Sequence, residues 1–126
     1  MKNSKIYYCR ECGCLLDPIN EHCDSLTCCG KKMEELLPGT SDGDKEKHTP
    51  VVSYDGKSVT VSIGKVGHPM TEEHLIEWIY LKTDKGRYIR YLAADEHPGF
   101  TFTLSDETPL EASAFCNKHG LWRATF

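Results

Sequence analysis

Between Ser58 and Ile63 the chain alternates polar and apolar residues with period two (Ser-Val-Thr-Val-Ser-Ile). That period predicts a strand with one face against a core. Val51–Tyr54 precedes it, and the intervening Asp55-Gly56 predicts a hairpin turn. Leu75–Lys82 mixes β-branched and aromatic residues. It is followed by a turn at Asp84-Lys85-Gly86 and then by Arg87–Leu92. Phe100–Leu104, Glu111–Phe115 and Leu121–Phe126 complete the series. Six or seven short strands with no long helical pattern predict a mainly β protein, an antiparallel sandwich or barrel.

This pattern starts only after Leu37-Pro38-Gly39-Thr40-Ser41-Asp42-Gly43-Asp44, where turn-forming residues displace apolar ones. The stretch reads as a linker between units 1–37 and 38–126. The first unit is too short to bury a self-sufficient core and calls for a staple. The chain has 126 residues, 39% hydrophobic and 27% charged, which excludes wholesale disorder. No apolar run approaches ~18 residues, so no membrane span is expected. No apolar stretch follows Met1–Lys5, so no signal peptide is expected either, and the cytoplasm is the default compartment. The net charge of −4 argues against a generic nucleic-acid binder.

Cysteine usage changes the picture. Six of the seven cysteines fall at Cys9, Cys12, Cys14, Cys23, Cys28 and Cys29, in the short unit. In a reducing compartment such clusters are metal ligands more often than disulfides. Cys9-x-x-Cys12 is a metal knuckle, and Cys28-Cys29 supplies a second pair. Four thiolates suit one tetrahedral iron or zinc. A structural zinc ribbon normally has a second C-x-x-C, and the adjacent pair favours a specialised iron–thiolate centre. Cys14 and Cys23 are left over, either as small packing side chains or as a disulfide or competing ligands.

A second constellation lies in the longer unit. His48 stands in Glu46-Lys47-His48-Thr49-Pro50. His68 and His74 bracket a proline-bearing loop, and Cys116 and His119 lie three apart before Gly120. Four imidazoles and one thiolate exceed a closed tetrahedral zinc site. They suit iron with one open position, which means chemistry.

With these residues in place, the whole chain resembles the desulfoferrodoxin family of two-iron superoxide reductases. The similarity runs through Cys9-x-x-Cys12, Cys28-Cys29, Glu46-Lys47-His48-x-Pro50, Gly67-His68-Pro69-Met70 to His74 and Glu77-Trp78-Ile79, and Cys116-Asn117-x-His119-Gly120-x-Trp122. The resemblance implies a small desulforedoxin-like module, residues 1–37, holding iron on Cys9, Cys12, Cys28 and Cys29. It implies an immunoglobulin-like antiparallel β-sandwich, residues 38–126, as the catalytic domain. There His48, His68, His74 and His119 would give four equatorial nitrogens to a second iron, with Cys116 as axial sulfur. Glu46 would take the sixth position in the resting ferric state, and Lys47 would sit at the open face. The implied reaction reduces superoxide by one electron to hydrogen peroxide and releases no dioxygen. A rubredoxin-like donor and a homodimer are implied with it. Two other readings stand beside this one: a non-enzymatic metal-ribbon protein with an inert sandwich, and a thiol redox sensor working through Cys14 and Cys23.

Overall fold

The computed structural model describes residues 4–20, 22–23, 25–41, 43–65 and 67–126. Met1–Asn3, part of the start read for a leader, and Asp42 of the predicted linker lie outside the described residues. The chain forms two compact units, Met1–Leu37 and Pro38–Phe126.

The shorter unit is built from five two-residue strands: β1 (Tyr7–Tyr8), β2 (Leu15–Leu16), β3 (Thr27–Cys28), β4 (Lys31–Lys32) and β5 (Glu34–Glu35). They pair as an antiparallel sheet in the order β2-β1-β5 and a separate hairpin β3-β4. Among the described residues the buried apolar side chains here are Ile6, Cys9 and Met33. These three buried side chains are a small core for so short a unit, which agrees with the staple expected from the sequence.

The longer unit is a sandwich of two antiparallel sheets. One has the order β10-β7-β6 and the other β12-β11-β8-β9. The strands are β6 (Pro50–Tyr54), β7 (Ser58–Ile63), β8 (Ile76–Thr83), β9 (Arg87–Tyr91), β10 (Gly99–Thr103), β11 (Pro109–Cys116) and β12 (Gly120–Thr125). A single helical turn, α1 (Lys45–His48), precedes them. The alternation in β7 does what the pattern requires: Val59, Val61 and Ile63 are at most 1% exposed. They meet Ile76, Ile79 and Leu81 of β8 and Ala112, Ala114 and Cys116 of β11 in one core. The turn at Asp55-Gly56 forms as predicted. The Asp55 carboxylate accepts from the Lys57 and Ser58 amides at 2.9 and 2.6 Å, and Gly56 takes a φ of 93°. Ile79→Ala in the centre of this core is expected to cost about 2–5 kcal/mol. A urea titration followed by tryptophan fluorescence would measure it.

Two irregularities place the functional residues. Trp78 pairs with Phe115 and Ile76 with Cys116, so Glu77 is an extra residue, a bulge in β8. Ile76 thereby faces the core although it is three residues from Ile79. Cys116 ends the inward row Ala112–Ala114–Cys116 and is fully buried. The other irregularity is the predicted linker. Gly39 and Ser41 do not span free space. Gly39 N donates to Leu121 O at 2.9 Å, and Ser41 Oγ donates to His119 O at 2.5 Å.

Candidate metal centres

In the shorter unit Cys9, Cys12, Cys28 and Cys29 bring their sulfurs within 4.8 Å of one another. The Cys12 and Cys28 sulfurs are 3.6 Å apart, and those of Cys28 and Cys29 3.9 Å. Neighbouring residues of an extended strand point to opposite faces. The adjacent pair converges because Cys29 leaves the strand in the left-handed region, at φ 54°. Gly13, at φ 80°, closes the turn after the first knuckle by donating to Cys9 O at 2.8 Å.

The electrostatics of this cluster call for a cation. The Cys12 amide, followed by that of Glu11, holds the Cys9 thiol down to about 7. The neighbouring Cys12 and Cys9 sulfurs push Cys28 up to about 12, and Cys29 is also raised, chiefly by Cys12. Cys28 and Cys29 therefore do not ionise readily without a positive ion beside them. Cys14 is half-buried and Cys23 exposed. Both are free thiols outside the cluster, so the disulfide alternative is not realised.

At one end of the sandwich the later histidines form a ring. His48 and His68 have centroids 4.5 Å apart, His68 and His74 4.7 Å, His74 and His119 5.1 Å, and His119 and His48 4.7 Å. Neighbouring rings stand 70–84° to one another, and the His48–His74 diagonal is 6.2 Å. Ligand atoms of His48, His68, His74 and Cys116 lie within 4.8 Å of one another. His119 joins them through Nδ1, 3.0 Å from His48 Nε2 and 3.9 Å from the Cys116 sulfur.

Each ring is aimed by the backbone around it. His48 Nδ1 lies 2.6 Å from Asp44 O, and His68 Nδ1 2.6 Å from Pro69 O. Only a protonated nitrogen donates to a carbonyl, which leaves Nε2 with its lone pair. Asn117 clips the His74 loop to the end of β11. Its Nδ2 donates to Glu73 O at 3.0 Å, and its Oδ1 accepts from Leu75 N at 3.1 Å. Trp122 stacks on His48 at 5.0 Å and donates to His119 O at 2.9 Å. None of Asp44, Pro69 or Asn117 is a ligand, and sequence reasoning did not give them these tasks. Backbone acceptors leave no trace in residue type. The one available signal was Asp44 two residues before Glu46, an N-cap spacing, and its carboxylate accepts from the Glu46 amide at 2.9 Å.

The chemistry of this cluster fits a cation. The Nε2 atoms of His68 and His74 are buried with no hydrogen-bond partner. Such atoms are costly unless a ligand claims them. Burial pulls the pKa of His48 down, that of His68 to about 4, and that of His74 down, with His119, Lys118, His48 and Lys47 adding to the His74 effect. Burial thus favours the neutral form of His48, His68 and His74, the form that ligates. Burial raises the Cys116 thiol, against which the Lys118 and His119 amides pull it down. That thiol too awaits a positive ion. Four nitrogens and one sulfur suit iron with an open position better than tetrahedral zinc.

Exposure is uneven. His48, His68 and Cys116 are buried, whereas His74 and His119 are half-buried and Lys47 and Lys118 exposed. Glu46 is exposed on α1, and its carboxylate is not among the clustered ligand atoms. His22 and His97 join neither cluster.

Comparison with known proteins bears on both clusters. The sequence profile described as desulfoferrodoxin matches residues 40–125. A desulfoferrodoxin from Nitratidesulfovibrio vulgaris is 38% identical over 120 residues, spanning 95% of this chain and 94% of that protein. A superoxide reductase from Pyrococcus horikoshii is 34% identical over 101 residues, 66% of this chain and 88% of its own. The crystal structure of the superoxide reductase from Treponema pallidum matches with a TM-score of 0.79 at 38% identity. That match covers 98% of this chain and all of the other.

Proposed function

The chain belongs to the desulfoferrodoxin family, and from that premise we propose that it is an iron-dependent superoxide reductase. The observation that carries the reading is the ring of four imidazoles gathered with the buried Cys116 thiol, in which the Nε2 atoms of His68 and His74 are buried without a hydrogen-bond partner. His48, His68, His74, His119 and Cys116 would hold the catalytic iron, and Cys9, Cys12, Cys28 and Cys29 the other. An iron bound there would supply the single electron that superoxide takes up. With two protons that electron gives hydrogen peroxide and no dioxygen.

The chain's own residues bring in the anion and its protons. A net charge of −4 repels superoxide at long range, so attraction must be local. The ammonium groups of Lys47 and Lys118 supply it. Both are exposed, and both act electrostatically on His74. Water held at Lys47 Nζ delivers protons to the departing product. Cys116 adds electron density and one negative charge from the buried side, moderated by the Lys118 and His119 amides. Glu46, a hard oxygen donor next to Lys47, would be the resting ligand of the oxidised ion. Lys47→Ala is expected to slow superoxide capture roughly tenfold and to flatten its dependence on ionic strength. Stopped-flow decay of superoxide at several salt concentrations would test this.

Four thiolates would close the shell of an iron at the four-cysteine site and keep it from substrate. Its role is electron transfer or structure. A rubredoxin-like protein is the proposed donor, and the proposed working state is a homodimer. Seven free thiols fit a reducing compartment, and we assign the protein to the cytoplasm. Among the described residues no helix is long and apolar enough to cross a membrane. The activity itself is tested by metal analysis together with product assay. Two irons per chain, and peroxide formed without dioxygen, are expected. Dioxygen release, or a colourless protein holding zinc alone, would overturn the reading.

A further inference from the structure

His119 differs from its three partners in presenting Nδ1. That atom is one bond from Cγ, whereas Nε2 is two bonds away. A Nδ1 ligand therefore brings its own backbone close to the metal, and any error in backbone position passes directly to the donor atom. The His119 backbone is held accordingly. Its carbonyl accepts from Ser41 Oγ at 2.5 Å and from Trp122 Nε1 at 2.9 Å. Its ring is walled by Gly43, where an added Cβ would stand 2.7 Å from His119 Cβ and 2.9 Å from Cγ. The same Cβ would lie 3.1 Å from the Trp122 ring. Gly43 N donates back to Ser41 Oγ at 3.3 Å, tying wall and anchor together.

The contacts continue along the segment in both directions. Gly39, at φ 68°, donates to Leu121 O and has the Trp122 ring 3.8 Å from the place of a Cβ. Asp44 O takes the Nδ1 proton of His48. Residues 39, 41, 43 and 44 thus all touch His48, His119 or the Leu121-Trp122 pair that supports them.

We propose that Gly39, Ser41, Gly43 and Asp44 form a positioning strap for the histidine–cysteine centre. Ser41 and Gly43 fix His119 as a Nδ1 donor, and Asp44 fixes His48 as a Nε2 donor. The apparent linker thereby belongs to the construction of the catalytic site. This rests on the reading of that centre as an iron site, but on none of its catalytic steps.

The test uses the full-length iron-loaded protein with Ser41→Ala and Gly43→Ala. Ser41→Ala removes two hydrogen bonds, to His119 O and from Gly43 N, and adds no clash. Gly43→Ala forces the His119 side chain or the strap to move. Both are expected to release iron from the histidine–cysteine centre to a chelator about 10–100-fold faster than the unmodified protein. Both are also expected to shift the visible band that depends on Cys116. The four-cysteine iron, in the same sample, keeps its own band and release rate and serves as the internal reference. A variant that folds with unmodified release and an unmoved band overturns the strap. If Gly43→Ala fails to fold, Ser41→Ala alone decides. If the unmodified protein has no band dependent on Cys116, the iron reading itself fails, a result distinguishable from failure of the strap.

Discussion

Cys116→Ser is expected to abolish superoxide reduction and the thiolate-dependent visible band while leaving the four-cysteine iron in place. The sulfur is fully buried and is the one anionic donor among the clustered atoms of the histidine ring. Serine nearly preserves the volume, so the row Ala112–Ala114–Cys116 stays packed. A hydroxyl, however, ionises far less readily than a thiol. The burial that already raises the Cys116 thiol would leave serine neutral. The four imidazoles would then face the metal with no charge from below. Loss of an outer partner of a metal ligand costs about 10–100-fold, and removal of a ligand itself costs at least that. A ferricyanide titration read in the visible, with stopped-flow superoxide decay on the same sample, measures both effects. A variant that keeps band and rate would show that Cys116 is not a ligand.

Gly64→Ala is expected to be the most damaging single methyl in the longer unit. Gly64 has a φ of 78°, and an added Cβ would stand 2.3 Å from Lys47 O, 2.6 Å from Lys47 C and 2.8 Å from Lys47 Cα. All three atoms are backbone, so no rotamer change relieves the clash. The contact matters because α1 cannot hold itself. Four residues are far below the length of an independently stable helix. The turn is instead fastened to the end of β7, with Gly64 N on Thr49 O at 3.1 Å and Lys65 N on Glu46 O at 2.7 Å. Left-handed strain plus displacement of this backbone is expected to cost roughly 2–5 kcal/mol. Displacement also carries Lys47 and His48 from their places, so the superoxide rate should fall with the urea midpoint. Unfolding midpoint and rate both equal to those of the unmodified protein would refute the assignment of Gly64 as the seat of α1.

Chemistry was more legible in the sequence than geometry. Ser58–Ile63 was read correctly to the residue, because one face of β7 is buried and the other is not. The residues of both clusters stood out because soft and nitrogen donors at short spacings have few other uses. The strands of the first unit were invisible, since two residues carry no period. The helical turn at Lys45–His48 escaped for the same reason, as four residues complete barely one turn. Residues 37–44 read as a linker because glycine, serine and aspartate are what linkers contain. They are also what a segment needs to lie flat on an aromatic ring and an imidazole, as Gly39 and Gly43 do on Trp122 and His119. Composition cannot separate the two cases. The choice between Nδ1 and Nε2 at each histidine lay equally out of reach, because carbonyls such as Asp44 O and Pro69 O make it.

The extra residue at Glu77 makes the His74 loop depend on a count as well as on residue type. Ile76 opposes Cys116 on the inward side because one residue is spent between it and Trp78. Strand side chains change face with every residue. Deletion of Glu77 would therefore turn Ile76 outward or drag Leu75 and His74 one step along the strand. The segment from His74 to Trp78 thus tolerates exchange of side chains far better than any change in its number of residues. In this protein the reach of an imidazole to the metal is metered by chain length.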